Sequence, residues 1–143
     1  YLEKDNKKYD YFLLLEPTSP LREVSDIDKS IELLNKQKQG SIVSVCQAEG
    51  SHPDFLYRIG SNKYLTPITG KHPTDLRRQD IEELFFIEGT IYCSTVSDFK
   101  REKTFYHAKT SPYYVPKWKS IEVDDIYDFV MIEGIIKYRR KRK

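Results

Sequence analysis

Glu122 and Asp124 stand two residues apart in the run Lys119-Ser120-Ile121-Glu122-Val123-Asp124-Asp125. Read as a strand, strict alternation puts Ile121 and Val123 on one face and Ser120, Glu122 and Asp124 on the other, so the two carboxylates project together. Such a pair suits a hard cation such as Mg2+, which takes one or two protein oxygens and fills its other positions with water and substrate phosphate. The same run also suits a helix start. Asp124 or Asp125 then caps a last helix in which Ile126, Phe129, Val130, Ile135 and Ile136 make a wide apolar stripe. Both readings hold together if Asp125 is the cap and Asp124 the ligand.

A second constellation lies near the start of the chain. Tyr11 to Leu15 is a short apolar run, and Glu16-Pro17-Thr18-Ser19-Pro20-Leu21-Arg22 stops it abruptly. The run reads as a strand buried on both faces. In open α/β sheets ligands bind beyond the carboxyl ends of the strands, which places Glu16, Thr18, Ser19 and Arg22 at the rim of such a crevice. The alternative is a plain strand-to-helix connection whose hydroxyls cap backbone groups. Arg78 and Gln79 are the third pair of interest, suited to anion and amide recognition or to a surface salt bridge.

The elements that must position these residues alternate along the chain. Leu2 to Lys8 reads as the end of a helix, followed by the strand Tyr11 to Leu15. Ser25 reads as the N-cap of a helix whose face is marked by Ile27, Ile31 and Leu34, and Gly40 closes it. Ser41 to Cys46 is a second buried strand, so strand, helix and strand form a βαβ unit with parallel strands. From His52 to Gly70 the texture changes to a loop or hairpin excursion of the kind that serves assembly or substrate capture. Leu84 to Ile87 and Thr90 to Thr95 read as extended segments broken by Gly89.

Composition bounds the class. The chain has 143 residues, 38% hydrophobic and 32% charged, which fits one soluble globular core. It starts at Tyr1 without methionine or an apolar leader, and is read as a fragment. No run has the length needed to span a bilayer. Cys46 and Cys93 lie in apolar segments, where free thiols pack as small hydrophobes in a reducing cytoplasm. The last seven residues carry six cations, Lys137, Arg139, Arg140, Lys141, Arg142 and Lys143, so the remainder is net acidic although the whole is +2. That tail (137–143) reads as a solvated helix end favoured by the helix dipole, with a nucleic-acid contact as the rival.

Taken in order, Leu14-Leu15-Glu16-Pro17-Thr18-Ser19-Pro20-Leu21-Arg22, Ser41-Ile42-Val43-Ser44-Val45, Arg78-Gln79-Asp80, Glu88-Gly89-Thr90-Ile91-Tyr92 and Ile121-Glu122-Val123-Asp124 resemble the acylneuraminate cytidylyltransferases and their bacterial nonulosonate relatives. The likeness runs from about residue 9 to residue 138. It implies an α/β fold of nucleotidyltransferase type, Rossmann-like, with a mostly parallel sheet, helices on both faces and a small dimerisation insertion at 47–88. The activity implied is transfer of CMP from CTP to the C2 hydroxyl of a nine-carbon 2-keto acid sugar, with pyrophosphate released; an eight-carbon keto-acid sugar and a non-catalytic assembly subunit are the alternatives. A homodimer is implied too.

By the same resemblance Glu16, Arg78, Glu88 and Tyr92 fall on the sugar side, and Glu122 and Asp124 match an Asp-x-Asp pair that holds Mg2+. Glu16 stands where glutamine is usual and Glu88 where asparagine is usual. The family also carries a glycine-rich basic loop around the CTP triphosphate. All six glycines here stand alone, so residues 1–143 are expected to be the C-terminal part of one cytidylyltransferase domain, inactive or nearly so by themselves.

Overall fold

The computed structural model describes residues 8–70 and 77–142, so most of the expected helix end at 2–8 and the terminal residue 143 of the basic tail lie outside it. In chain order the elements are β1 (Tyr11–Leu14), α1 (Val24–Gln37), β2 (Ser41–Gln47), β3 (Tyr57–Ile59), β4 (Leu65–Pro67), β5 (Phe85–Thr95), α2 (Val96–Glu102), β6 (Thr110–Tyr114) and α3 (Ile126–Arg140). They fall into two compact units, Tyr1–Cys46 with Ile87–Lys143, and Gln47–Phe86.

The first unit is built on a four-stranded sheet in the order β1-β5-β2-β6. β1 runs antiparallel to β5, with Tyr11 opposite Thr95 and Leu14 opposite Tyr92. β2 runs parallel to β6, with Ser41 opposite Thr110. Between β5 and β2, Ser94 donates to the Gly40 carbonyl while Ser44 donates to that of Glu88, so one strand advances as the other recedes. The sheet is therefore mixed, with antiparallel pairs in the majority, and the expected mostly parallel sheet is corrected. β1 and β2 do point the same way across α1, but β5 lies between them. Strand periodicity reports which faces are buried and not which strand is the neighbour, so this insertion left no local trace.

Alternation along the strands feeds two apolar clusters. Tyr11 and Leu13 of β1, Ile42 of β2, and Ile91 and Cys93 of β5 pack with Ile27, Ile31 and Leu34 of α1. Phe12, Val43 and Tyr92, from the alternate positions, pack with Phe99 of α2 and with Phe105. A helix thus covers each face of the sheet. The phenyl ring of Phe12 meets that of Phe99 edge-on, with centroids 4.5 Å apart. Cys46 and Cys93 are buried thiols outside any disulfide, and burial pushes the Cys93 thiol up to about 11.

Several local expectations shift. β1 is half-buried rather than enclosed on both faces, with Leu14 and Leu15 exposed, because it is an edge of the sheet among the described residues. The N-cap of α1 is Glu23, not Ser25: the Glu23 N–H donates to Asp26 Oδ2 at 2.7 Å. α1 ends on Lys38 in the left-handed conformation, and Gly40, at φ +95, follows it into β2. A Cβ at Gly40 would lie 2.2 Å from the Lys109 carbonyl oxygen, so two backbones meet there and only glycine fits. β5 is one continuous strand through Gly89 rather than two segments. α3 turns Ile126, Phe129 and Val130 outward and buries Ile132, so the expected stripe is not its packed face.

The second unit holds the antiparallel hairpin β3–β4, with Arg58 opposite Thr66. His52 is buried and caps a short 3-10 turn: its Nδ1 accepts the Asp54 N–H at 3.1 Å, so Nε2 carries the proton and donates to the Glu82 carbonyl at 3.1 Å. Ile59, Tyr64 and Leu65 of this unit are exposed.

Candidate functional site

The site grows from Gly89. β5 carries it between Glu88 and Thr90, and a Cβ placed on it would lie 2.6 Å from Glu16 Oε2, 2.6 Å from Glu122 Oε1 and 2.8 Å from Ser19 Oγ. Residues from the elbow after β1 and from the segment before α3 therefore meet over one glycine of β5. The missing side chain makes the room. Gly89 also donates its N–H to Glu122 Oε1, which fixes that carboxylate over the strand.

Two further residues hold the elbow in place. The Val123 N–H donates to the Thr18 carbonyl at 2.8 Å. Arg22 spends its guanidinium on backbone carbonyls, with Nε on Thr90 at 2.5 Å and Nη2 on Glu16 at 2.8 Å and on Gly89 at 3.3 Å. Its role in this geometry is to brace the elbow against β5. A charge-assisted fork on three carbonyls positions a turn more firmly than neutral hydrogen bonds do.

Burial and charge set the electrostatics. Glu88 is 2% exposed; its Oε2 accepts from the Thr90 hydroxyl at 2.5 Å and the Thr90 N–H at 3.2 Å, and its Oε1 has no partner. Desolvation raises its pKa, and the Glu122 charge adds to the rise against the opposing influence of the Ser44 hydroxyl and then of Thr90. Ser19 is 1% exposed, and its hydroxyl has no partner. Tyr92 lies beside this cluster with its ring against Phe105 and Tyr106. Burial first, then Tyr106, Glu16 and Glu122, raise its phenol, which remains a neutral donor.

Ile121 to Val123 is irregular rather than a strand, so the carboxylates are not aligned by strand alternation. Glu122 instead turns toward Gly89, while Asp124 is exposed and its N–H donates to Asp128 Oδ2 at 3.0 Å. Asp125 is the cap of α3, its Oδ1 accepting the Tyr127 and Asp128 N–H groups at 2.7 and 3.1 Å. Among the described residues no group of three or more His, Cys, Asp or Glu is arranged to hold a metal ion. Two carboxylates are the number and kind of oxygens that Mg2+ accepts when phosphate and water complete its shell, but here Glu122 is held on the Gly89 N–H and Asp124 is exposed beyond Val123.

Of the residues singled out from sequence, Glu16, Ser19 and Glu122 gather around Gly89, Glu88 is buried one residue earlier in β5 with its carboxylate on Thr90, Thr18 and Arg22 fasten the gathering, and Tyr92 borders it. Arg78 and Gln79 belong to the second unit, in the turn Arg78–Asp80; Gln79 is exposed, and the side chain of Arg78 lies outside the described part. Two positions carry little signal in the sequence. Gly89 reads as a break, although a lone glycine inside a strand pattern signals close approach of another group. Lys119 has no local mark at all. It is buried, 2.7 Å from both carboxylate oxygens of Asp26 and 2.7 Å from Glu23 Oε2, with the Tyr113 hydroxyl donating to Asp26 Oδ1 at 2.8 Å. Arg139 of α3 reaches Glu23 at 3.2 Å and lies over the Trp118 ring at 3.7 Å, so this ionic knot ties α3 to the start of α1.

No helix among the described residues is long and apolar enough to cross a membrane. No protein-family model matches the chain. Among curated proteins it is 30% identical over 131 residues to the N-acylneuraminate cytidylyltransferase of Streptococcus agalactiae serotype V, an alignment covering 92% of this chain and 30% of that protein. It is 24% identical over 136 residues to the N-acylneuraminate cytidylyltransferase of Escherichia coli O18:K1:H7, covering 94% of this chain and 32% of that protein. The CMP-N,N'-diacetyllegionaminic acid synthase of Legionella pneumophila is 25% identical over 134 residues, covering 93% of this chain and 56% of that protein. The chain thus spans about a third to a half of the length of these relatives, and over that span it is homologous to the acylneuraminate cytidylyltransferase family that its motifs resemble.

Proposed function

We propose that the protein carrying this chain transfers CMP from CTP to a nine-carbon 2-keto acid sugar of the sialic or legionaminic type, and that these 143 residues supply the acceptor side of the site. What carries the reading is the meeting of Glu16, Ser19 and Glu122 over Gly89, in a chain 30% identical to a named N-acylneuraminate cytidylyltransferase.

In this reading the sugar hydroxyl attacks the α-phosphorus in line; a new P–O bond forms, the bond to the β-phosphate breaks, and pyrophosphate leaves while the hydroxyl proton passes to solvent or a nearby carboxylate. Catalysis is mostly positioning and charge neutralisation. Glu122 and Asp124 are the residues that would hold Mg2+, whose chemistry there is to offset the charge of the phosphates. Tyr92 and Glu16 orient the sugar, and Arg78 keeps the anion-binding role that the family resemblance implies. The exposed apolar residues of that unit, Ile59, Tyr64 and Leu65, are offered as the surface through which two subunits pair.

The chain alone is expected to turn over little or nothing, because its isolated glycines build no backbone cradle for a triphosphate. The test is pyrophosphate release and CMP-sugar formation by the intact protein with CTP and a panel of eight- and nine-carbon keto-acid sugars. Product with a nine-carbon acceptor supports the reading; none with any acceptor overturns it.

A further inference from the structure

α3 carries much of its apolar surface on the outside. Ile126, Tyr127, Val130, Met131 and Tyr138 are each 49% to 75% exposed, whereas Ile132 is buried. At about 100° of rotation per residue, these five fall on one side of the helix within an arc of about 140°, and Ile132 falls on the other. A contiguous apolar face of this kind marks an interaction surface, because scattered exposed residues would not share one side.

Gly134 and the charges at the two ends say what covers it. Gly134 lies in the middle of the face, is exposed, and sits in ordinary helical backbone. A Cβ placed on it would meet nothing within 4 Å beyond its own helix, so no contact among the described residues asks for a glycine there. A glycine inside a helix weakens it, and what its bare backbone offers in return is the close approach of a second helix. The ends of α3 differ in sign. Asp125 stands at its start and Arg140, Lys141 and Arg142 at its end, and all four are exposed. An apolar middle between opposite charges is complementary to a copy of itself turned end for end, whereas a parallel copy would bring the cations together.

We propose that α3 is a contact between two copies of this chain, packed antiparallel about a two-fold axis that passes through Gly134. Gly134 then meets its own copy, and Val130 packs on the partner's Tyr138. Met131 lies on the stem of the partner's Lys137, and Tyr127 offers its ring to the cation of the partner's Lys141. Asp125 comes level with the basic end of the other helix. This surface is separate from the hairpin β3–β4, so pairing through either one doubles the assembly in its own right.

The test is a symmetric cross-link. Gly134→Cys is introduced into the intact protein, in which Cys46 and Cys93 are buried, and the thiols are oxidised with diamide. A covalent dimer on a denaturing gel is expected to form at least about tenfold faster than from Ser97→Cys, another exposed position, because only a two-fold axis at Gly134 sets that residue against itself. Sedimentation equilibrium gives the second reading. Val130→Lys together with Met131→Lys, two exposed positions whose exchange leaves the fold intact by circular dichroism, sets new cations beside the partner's Lys137 and should halve the mass of the assembly. A cross-linking rate no higher than that of Ser97→Cys, or an unchanged mass in the double variant, overturns the proposal, whether the face then proves to be covered by another part of the intact protein, by a lipid surface or by nothing.

Discussion

The Val123 N–H donates to the Thr18 carbonyl oxygen at 2.8 Å, joining residues from opposite ends of the chain. Because Val123 is pinned there, its two acidic neighbours diverge. Glu122 folds back to accept the Gly89 N–H, and Asp124 leads outward to the cap of α3. One backbone bond therefore decides which carboxylate lines the cradle and which faces the open side.

If Asp124 is the exposed half of a metal-binding pair, its loss should touch chemistry and not stability. Asp124→Ala in the intact protein is expected to lower kcat by about two orders of magnitude or more while leaving the melting temperature unchanged. Asp125→Ala should do the reverse, costing about 1 kcal/mol by uncapping α3, with turnover little altered. Steady-state kinetics beside thermal unfolding separates the two; near-normal turnover in Asp124→Ala removes the metal assignment.

Gly89 offers a stricter test of the cradle. In Gly89→Ala the new methyl carbon would fall 2.6 Å from both glutamate oxygens and 2.8 Å from Ser19 Oγ, closer than van der Waals contact allows. The glutamate side chains can swing away, so the fold survives at a cost of about 1–3 kcal/mol. The close meeting of Glu16, Glu122 and Ser19 over this residue does not survive. Loss of acceptor binding by isothermal calorimetry, with circular dichroism retained, is the expected outcome.

The sequence showed the members of the cradle better than it showed the sheet that assembles them. Glu16 and Ser19 were legible because they stand at the abrupt end of an apolar run, where a chain turns and exposes its polar groups, and Glu122 because of its two-residue spacing to Asp124. The order β1-β5-β2-β6 was not legible, because the same alternation of Phe12, Leu13 and Cys93, Ser94 fits any neighbour. Ile121 to Val123 alternates like a strand, yet the ladder-like bond it makes is the single step from Val123 to Thr18. Lys119 was invisible for another reason: a lysine is normally solvated, and only the tertiary approach of Asp26 and Glu23 makes its burial tolerable.

That buried knot predicts a severe single variant. Lys119→Met leaves Asp26 buried without its cation, and is expected to destabilise the protein by about 3–5 kcal/mol in urea unfolding. Burial works against the Asp26 charge, but hydrogen bonds from Lys119, the Glu23 N–H and Tyr113 outweigh it and hold the carboxyl below its ordinary range. Adding Asp26→Asn to Lys119→Met should recover part of the loss, because the unpaired charge is gone. Additive losses in the double variant would show that the two residues do not act as a pair.

Asp98 gives the clearest dependence on pH. The Gly40 N–H, bonded to Asp98 Oδ2 at 2.6 Å, is the largest influence, followed by the Thr95 hydroxyl at 2.8 Å; these and Arg101 outweigh burial and hold the carboxyl down at about 2 rather than its ordinary 3.8. A carboxyl whose folded value is depressed stabilises fully above its unfolded value and loses that contribution as pH falls through the folded one. Unfolding free energy should therefore drop between about pH 4 and pH 2 as Asp98 protonates, releasing the turn at Gly40 that joins α1 to β2. Asp98→Asn keeps the shape and removes the charge, so it is expected to cost about 1.5–3 kcal/mol at pH 7 and progressively less toward pH 2. Denaturant titrations of both proteins across this range decide the matter, since a difference that stays constant with pH would mean that the charge of Asp98 is not what holds the turn.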